Sequence, residues 1–284
     1  MKCAWQEFLS MLPIWMRSEV DKRGRHSLQE LRLRINMPPE LVTKDGVIRL
    51  CRNVCADDLS FCINIASRYS PWTTETLSNC YITAPGGHRI GICGRAIIKN
   101  GIMNGIQKAT SLCIRIARDF DGICADAATI AGSILIIGRP GSGKTTLLRD
   151  LIRCRSRLRN ENIAVLDERE EIFPVYQGAF SFPVGLRVDV LSGCDKRTGI
   201  DKILRTMGPD TIAIDEITAE EDCQALLHAG WCGVNLIATA HADSLTALQL
   251  RPIYKPLIHS RLFENVIVLQ PDKSWITERL NYDV

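Results

Sequence analysis

The sequence has no long hydrophobic run and little excess of charge of either sign. No apolar stretch approaches the length of about 20 residues that a membrane-spanning helix needs, and the N-terminus has no uninterrupted apolar core of the signal-peptide kind. The formal net charge is only +3. These absences predict a cytoplasmic protein with at most peripheral membrane contact, and they disfavour a protein that mainly coats nucleic acid.

The sequence also contains no CxxC pair, although it has 12 cysteines in 284 residues. The cysteines are scattered, many of them in apolar segments such as those around Cys62, Cys93, Cys113 and Cys232, and their spacing fits no metal site. We therefore expect buried, reduced thiols. The hydrophobic content of 46% is ordinary for a protein with a packed core.

The most informative stretch is SILIIGRPGSGKTTLL, residues 133 to 148, in which an apolar segment runs into a glycine-rich loop and then a helical pattern. The loop matches G-x-x-x-x-G-K-[ST], the pattern of phosphate-binding loops. Glycines let successive backbone N–H groups face a phosphate without side-chain obstruction. The predicted nucleotide-binding residues are Gly138, Arg139, Pro140, Gly141, Ser142, Gly143, Lys144, Thr145 and Thr146.

Two side chains of this loop have predicted roles. Lys144 is expected to reach the β- and γ-phosphates, and Thr145 is expected to offer its hydroxyl to Mg²⁺. The helix that follows presents its positive N-terminus to the anion. The alternative, a glycine-rich turn without function, is disfavoured by the apolar strand before the loop and the helix after it.

Apolar segments recur beyond the loop, with helices between them: SILIIG and the segments 163–167, 211–215, 234–239 and 266–269. Strands that are buried on both faces and separated by helices predict a doubly wound parallel sheet. Ligands of such sheets bind at the carboxyl ends of the strands. Polar residues follow three of these strands: Asp167 and Glu168, Asp215 and Glu216, and Thr239 and His241.

These polar residues suggest an ATPase centre. Asp215 is expected to hold Mg²⁺ through water, and Glu216 is expected to orient the attacking water. The alternative is a pair of solvated charges at a strand end. The pair Asp167 and Glu168 is less specific, since it fits a loop cap as well. His241 is either structural or a sensor of the γ-phosphate.

The first 125 residues predict a smaller α+β domain, and residues 126–284 predict the nucleotide-binding domain. Trp5, Phe8, Leu9 and Leu12 form an apolar helical stripe that we expect to pack on its own domain rather than on a partner or a membrane. A strand, a break and a hairpin are predicted between residues 31 and 50, and a helix over 57–68. Short strands separated by Gly86-Gly87 and by Asn100-Gly101 are predicted over 81–118.

The runs VLDEREEI, GPDTIAIDEI and IATAHADS resemble the acidic, Mg²⁺-binding and histidine motifs of the secretion ATPase superfamily. The segments LRLRINMPPEL, PGGHRIGICGRAI, PGSGKTTLLRDLIR and DVLSGC resemble more closely the stage III sporulation protein AA family of endospore-forming bacteria. The departures from the family pattern are Arg139, Glu170, Ser192 and Asp195, none of which replaces a motif residue.

This resemblance implies a RecA-like P-loop NTPase domain behind a smaller N-terminal α+β domain, with ATP and Mg²⁺ as cofactors. It implies catalytic roles for Lys144, Glu168, Glu216 and His241. It further implies a homo-oligomer, such as a hexamer-like ring, that works with membrane-embedded channel proteins during sporulation. An arginine finger is expected from Arg95, Arg115 or Arg118, and the preference for ATP over GTP stays open.

Two other functions stay open. An ATP-dependent nucleic-acid-binding protein is suggested by a basic cluster in the helix after the phosphate-binding loop, although a solvated helix end whose arginines face the negative dipole is the favoured interpretation of that cluster. A nucleotide-gated scaffold with negligible turnover is the third. The members of the cluster are Arg149, Arg153, Arg155, Arg157 and Arg159.

Overall fold

The computed structural model describes residues 1–67, 80–124 and 126–280, and the chain divides into two compact units. The first unit comprises Met1–Asp119 together with Pro174–Phe182, and the second comprises Phe120–Phe173 and the chain from Pro183 onward. The sequence placed the division after residue 125. The return of Pro174–Phe182 to the first unit was not expected, because this segment carries no pattern that separates it from its neighbours.

The first unit is built on a six-stranded antiparallel sheet in the order β3-β2-β1-β6-β5-β4. Its strands are β1 (Leu28–Arg34), β2 (Glu40–Thr43), β3 (Gly46–Arg49), β4 (Tyr81–Thr83), β5 (Arg89–Lys99) and β6 (Ile102–Arg115), and its helices are α1 (Trp5–Ser10), α2 (Ile14–Asp21) and α3 (Ala56–Ser67). The segment 174–182 adds the small hairpin of β9 (Val175–Tyr176) and β10 (Ala179–Phe180).

The three helices cover one apolar core of this unit. Phe8 and Leu12 are completely buried in it, and Trp5 and Leu9 are nearly so. The stripe of α1 therefore packs on its own domain, as expected. The predicted helix over 57–68 is present as α3 up to Ser67, position 68 lying outside the described residues, and its Leu59 and Ala66 lie in the same core.

The prediction of strands separated at Asn100-Gly101 is right, but the prediction that they are short is wrong for β5 and β6. These strands form one long hairpin of 11 and 14 residues. Its turn is at Asn100 and Gly101, where both residues have positive φ angles of 53° and 75°, as two-residue hairpin turns require. Sequence patterning missed the length because the outer part of the hairpin is exposed and lacks strict alternation.

The second unit holds a seven-stranded sheet in the order β11-β8-β12-β13-β7-β14-β15. Six strands are parallel and β15 is antiparallel to β14. The strands are β7 (Ile134–Gly138), β8 (Ile163–Asp167), β11 (Val188–Ser192), β12 (Thr211–Glu216), β13 (Asn235–His241), β14 (Asn265–Leu269) and β15 (Trp275–Arg279). All five predicted strands are present, whereas the partly exposed edge strands β11 and β15 were missed.

Helices flank this sheet on both faces. They are α4 (Lys144–Leu158), α5 (Lys196–Thr206), α6 (Glu220–Trp231), α7 (Leu245–Gln249) and α8 (Lys255–His259). Successive residues of β7 enter opposite cores, since Leu135 and Ile137 belong to one buried cluster while Ile134 and Ile136 belong to another. This two-sided burial is the packing expected of a doubly wound sheet.

The interpretation of the basic cluster as a solvated helix end is wrong for Arg149, Arg153 and Arg155, which are buried, whereas Arg157 and Arg159 are exposed. Arg155 is completely buried and binds Glu161 with both arms of its guanidinium, at 2.9 and 3.0 Å. Arg153 is also buried and pairs with Asp150 at 3.2 Å. The charges of Arg153 and Arg155 are therefore compensated inside the unit, by Asp150 and Glu161.

All twelve cysteines are free thiols. Cys62 is buried as expected, but the expectation of buried thiols is wrong for four exposed cysteines: Cys51, Cys55, Cys93 and Cys232. Among the described residues, no helix is both long enough and apolar enough to span a bilayer.

Candidate functional site

The loop between β7 and α4 has the backbone that a phosphate-binding loop needs. Gly141 and Gly143 have φ angles of 74° and 107°, in the region that disfavours other residues. At Gly138 a side chain would be crowded, because its Cβ would lie 2.6 Å from Oγ of Ser142 and 3.0 Å from Cβ of Leu269. Arg139 and Pro140 are exposed, while Thr146 lies partly buried in the first turn of α4.

Lys144 begins α4 and turns back toward the loop. Its Nζ donates to the carbonyl oxygens of Gly138 and Arg139 at 3.1 and 3.2 Å, and it lies 2.8 Å from Nδ1 of His241. An ammonium group has three N–H donors, so these three acceptors use all of them. Burial lowers the pKa of Lys144, and the nearby carboxylates of Glu216 and Asp215 oppose that shift.

Asp215 stands at the end of β12 between two hydroxyl groups. Thr145 donates to it at 3.2 Å, and Thr239 from the neighbouring strand β13 donates at 3.0 Å. Burial raises the pKa of Asp215, while the two hydroxyl hydrogen bonds counter the rise. The sequence noted Thr239 as a polar residue at a strand end but assigned it no role.

His241 connects Glu216 to Lys144. Its Nε2 lies 2.6 Å from Oε1 of Glu216, and its Nδ1 lies 2.8 Å from Nζ of Lys144. Because an ammonium group can only donate, Nδ1 must accept, and Nε2 therefore carries the proton that is donated to the carboxylate. The structure brings together three residues that the sequence could place only at separate strand ends and in the loop.

Two further residues border this group, and no sequence signal pointed to them. Asp243 forms an exposed ion pair with Arg139 of the loop, at 3.0 Å. Arg251 donates to the backbone carbonyl of His241 and so holds the end of β13. Both are short-range neighbours of His241 in the chain, but only the folded loop shows what they contact.

Asp167 organises the segment that follows β8. Its carboxylate accepts hydrogen bonds from the backbone N–H groups of Glu171, Ile172 and Phe173, at 2.7 to 3.0 Å. Arg149 of α4 donates to the carbonyl oxygens of Ile172 and Glu171 in the same segment. Burial raises the pKa of Asp167 to about 6. The loop-cap interpretation, which the sequence left open, describes Asp167 well.

Glu168 has a different partner. Its carboxylate pairs with Lys196 of α5 at 2.8 Å, and the same lysine lies 3.5 Å from Asp222. Lys196 is buried, whereas Glu168 is partly exposed. The ion pair of Glu168 is thus with α5. Its catalytic role near a phosphate stays a prediction.

Comparison with known proteins gives three kinds of similarity. The model of the family described as "Sporulation stage III, protein AA" matches residues 6–283. Stage III sporulation protein AA of Bacillus subtilis (strain 168) is 36% identical over 290 aligned residues, which cover 98% of this chain and 94% of that protein.

The third similarity is structural. The chain resembles the Legionella pneumophila ATPase DotB with a TM-score of 0.59 and 16% identity, over 94% of this chain and 80% of that one. It resembles the pilus retraction motor PilT, solved with bound ADP, with a TM-score of 0.60 and 13% identity, over 95% and 84% of the two chains. At such identities the similarity establishes the fold, and the predicted α/β fold with a RecA-like P-loop domain is confirmed.

Proposed function

The chain belongs to the sporulation stage III, protein AA family, and we propose that it is an ATPase that hydrolyses MgATP within a sporulation-associated secretion or channel complex. The observation that carries this proposal is the convergence of Lys144, Thr145, Asp215, Glu216 and His241 at one edge of the parallel sheet. These are the residue types that phosphoryl transfer requires: a cation, a hydroxyl, and two carboxylates with separate roles.

Nucleotide binding is assigned to the segment from Gly138 to Thr146. The positive φ angles of Gly141 and Gly143 let backbone N–H groups point into the loop, and α4 directs its N-terminus at the same place. Lys144 already uses its three donors on protein acceptors. A phosphate must therefore take at least one of these bonds from Gly138, Arg139 or His241.

Thr145 and Asp215 are the proposed magnesium ligands. A hydroxyl and a carboxylate whose oxygens lie 3.2 Å apart form a small set of hard oxygen donors, and such donors suit Mg²⁺. When bound there, Mg²⁺ neutralises charge on the phosphates. Thr239 holds the carboxylate of Asp215 from the other side and fixes its orientation.

Glu216 is the proposed base that orients the attacking water, and His241 is the proposed positioning residue beside it. In this structure the imidazole N–H holds the carboxylate of Glu216 while its other nitrogen accepts from Lys144. Where a phosphate takes the lysine N–H that now binds Nδ1, His241 loses one of its two partners. His241 thereby links phosphate binding at the loop to the position of the catalytic carboxylate.

The oligomeric state and the partners are proposed from the family and superfamily that the sequence resembles. The family match suggests a role in sporulation. The resemblance of the sequence motifs to the secretion ATPase superfamily suggests a ring-shaped homo-oligomer that acts with membrane-embedded channel proteins at the cytoplasmic face of a membrane. The nucleic-acid alternative loses its main support, because three of the five arginines in its cluster, Arg149, Arg153 and Arg155, are buried.

Phosphate release by the purified full-length chain, measured with MgATP and with MgGTP, tests the proposal. We expect hydrolysis that Lys144→Ala abolishes and that single-stranded DNA does not stimulate. Nucleotide binding without turnover would instead identify a nucleotide-gated scaffold. Stimulation by DNA would support the RecA-like nucleic-acid-binding alternative. Co-purification with membrane proteins from sporulating cells tests the channel partnership separately.

A further inference from the structure

The outer part of the β5–β6 hairpin, from Gly94 to Lys108, extends beyond the packed core of the first unit. We call it the β5–β6 arm. The residues of β5 from Cys93 to Lys99 are all exposed, and those of β6 near the turn are largely so. The arm begins at a bulge, where Gly94 is required because a Cβ there would overlap the carbonyl oxygen of Lys108.

One face of the arm combines cations with isoleucines. Side chains alternate along a strand, so Arg95, Ile97 and Lys99 share a face of β5. Across the hairpin, Lys108 lies opposite Arg95 and Ile102 lies opposite Lys99, which adds both to the same face. Ile102 is 71% exposed and Ile97 is 36% exposed.

The charges on this face are uncompensated within the arm. The segment GRAIIKNGIMNGIQK contains three cations and no carboxylate. Arg95 and Lys108 are direct cross-strand neighbours, and like charges in that position destabilise a strand pair. In the described part of the chain, Arg95, Lys99 and Lys108 form no ion pair. The face is thus complementary to a negatively charged surface.

The opposite face of the arm is uncharged and is only partly covered by its own unit, since Ile98 on it is 60% exposed. Ile98 pairs with Met103, and Ala96 pairs with Ile106. The sulfur atom of Met103 lies 3.8 Å from that of Cys80, and Ile106 packs against the core of the unit. Among the described residues, the face of cations and isoleucines is thus the one that joins charge to exposed aliphatic side chains.

We propose that the β5–β6 arm docks the protein directly on an anionic lipid bilayer, with Ile97 and Ile102 entering the headgroup region and the three cations binding lipid phosphates. Elements that lie in a membrane interface combine aliphatic and basic side chains in this way. Single-stranded nucleic acid is a poorer fit, since its binding surfaces use aromatic stacking and the arm has no aromatic residue. The inference does not depend on nucleotide hydrolysis.

Vesicle flotation of the full-length chain tests the proposal. We expect the protein to float with vesicles of phosphatidylglycerol mixed with phosphatidylcholine, to stay behind with pure phosphatidylcholine, and to bind less as salt rises. The double variant Lys99→Gln/Lys108→Gln should bind about 25-fold more weakly, because each cation near an anionic surface contributes about fivefold to partitioning. Ile97→Thr/Ile102→Thr should also bind more weakly.

The hairpin of β2 and β3 supplies a matched control. It too carries an exposed lysine and an exposed aliphatic side chain, Lys44 and Val47, but Asp45 lies between them. Lys44→Gln/Val47→Thr should float like the wild type. Thermal melts and ATP hydrolysis of all three variants show whether each is folded, since none of these residues belongs to the nucleotide site.

Several results would overturn the proposal. Equal flotation with neutral and anionic vesicles would show that the cations do not contribute to binding. Unchanged flotation of both arm variants would show that the arm does not bind the vesicles. If the wild type binds no vesicles but the arm variants lose binding to polyglutamate or to single-stranded DNA, the face belongs to an acidic protein or to nucleic acid.

Discussion

The imidazole of His241 and the carboxylate of Glu216 are joined by a hydrogen bond of 2.6 Å between Nε2 and Oε1. The two residues end adjacent parallel strands, β13 and β12. Lys144 holds the other imidazole nitrogen, so a change at any one of the three residues alters the surroundings of the other two. The first two predictions follow from this arrangement.

Lys144→Ala should abolish nucleotide binding, because it removes the ammonium group that is assigned to the β- and γ-phosphates. Glu216→Gln should keep binding but lower kcat at least about 100-fold, since it removes the water-orienting carboxylate and spares the phosphate and metal contacts. Titration with a fluorescent ATP analogue and phosphate-release kinetics separate the two effects. Wild-type turnover by Glu216→Gln would refute the assignment.

His241→Ala and Glu168→Gln should lower kcat more than they weaken ATP binding, if both act near the γ-phosphate. The effect of Glu168→Gln should depend on Lys196, its partner at 2.8 Å. A double-mutant cycle with Lys196→Gln measures that coupling. Equal losses of kcat and thermal stability in the single variants would show that their roles are structural.

The carboxyl group of Asp167 should make stability depend on pH. Its folded-state pKa of about 6 lies above the value of 3.8 expected when unfolded. The stability it contributes is therefore fully present below pH 3.8 and is lost as pH rises through 6, by about 3 kcal/mol at most.

Denaturant unfolding of the wild type and Asp167→Asn between pH 4 and 7 measures this contribution. The difference in unfolding free energy between the two proteins should shrink with rising pH, because the asparagine does not titrate. A difference that grows with pH would mean that the three N–H donors from Glu171, Ile172 and Phe173 favour the carboxylate more than burial opposes it.

Arg149→Ala should cost about 1–3 kcal/mol of unfolding free energy, because the buried carbonyl groups of Glu171 and Ile172 lose their donor. Arg157→Ala, on the exposed side of the same helix, is the matched control and should change stability by less than about 0.5 kcal/mol. Equal, small effects in chemical denaturation would show that Arg149 does not hold the segment after β8.

Specific ATPase activity should rise with protein concentration if nucleotide sites are completed by a neighbouring subunit. At least one of Arg95→Ala, Arg115→Ala and Arg118→Ala should then reduce kcat by about 10³-fold. Arg118 binds the backbone carbonyls of Arg25 and Leu28, so its variant needs a thermal melt as a folding control. Flat activity curves and wild-type rates in all three variants would refute both the shared site and the finger.

The sequence by itself determined the features that depend on local order along the chain. A strand, a glycine-rich loop and a helix must be contiguous to cradle a phosphate, so SILIIGRPGSGKTTLL predicts the element and its place together. The apolar runs fixed the five central strands for the same reason, since strands that are buried on both faces tolerate few polar residues. Edge strands such as β11 and β15 are partly exposed and can contain polar residues, so apolar runs do not reveal them.

Tertiary structure alone decided what the charged residues do. The sequence alone suggests that Arg155 is solvated. In the fold its guanidinium is buried, and a buried charge needs an oppositely charged partner, which Glu161 provides. Lys144 and His241 are 97 positions apart, and only the parallel order of β7 and β13 brings them to 2.8 Å. A buried charge is stabilised by whichever partner the fold places beside it, and that partner cannot be identified from local sequence.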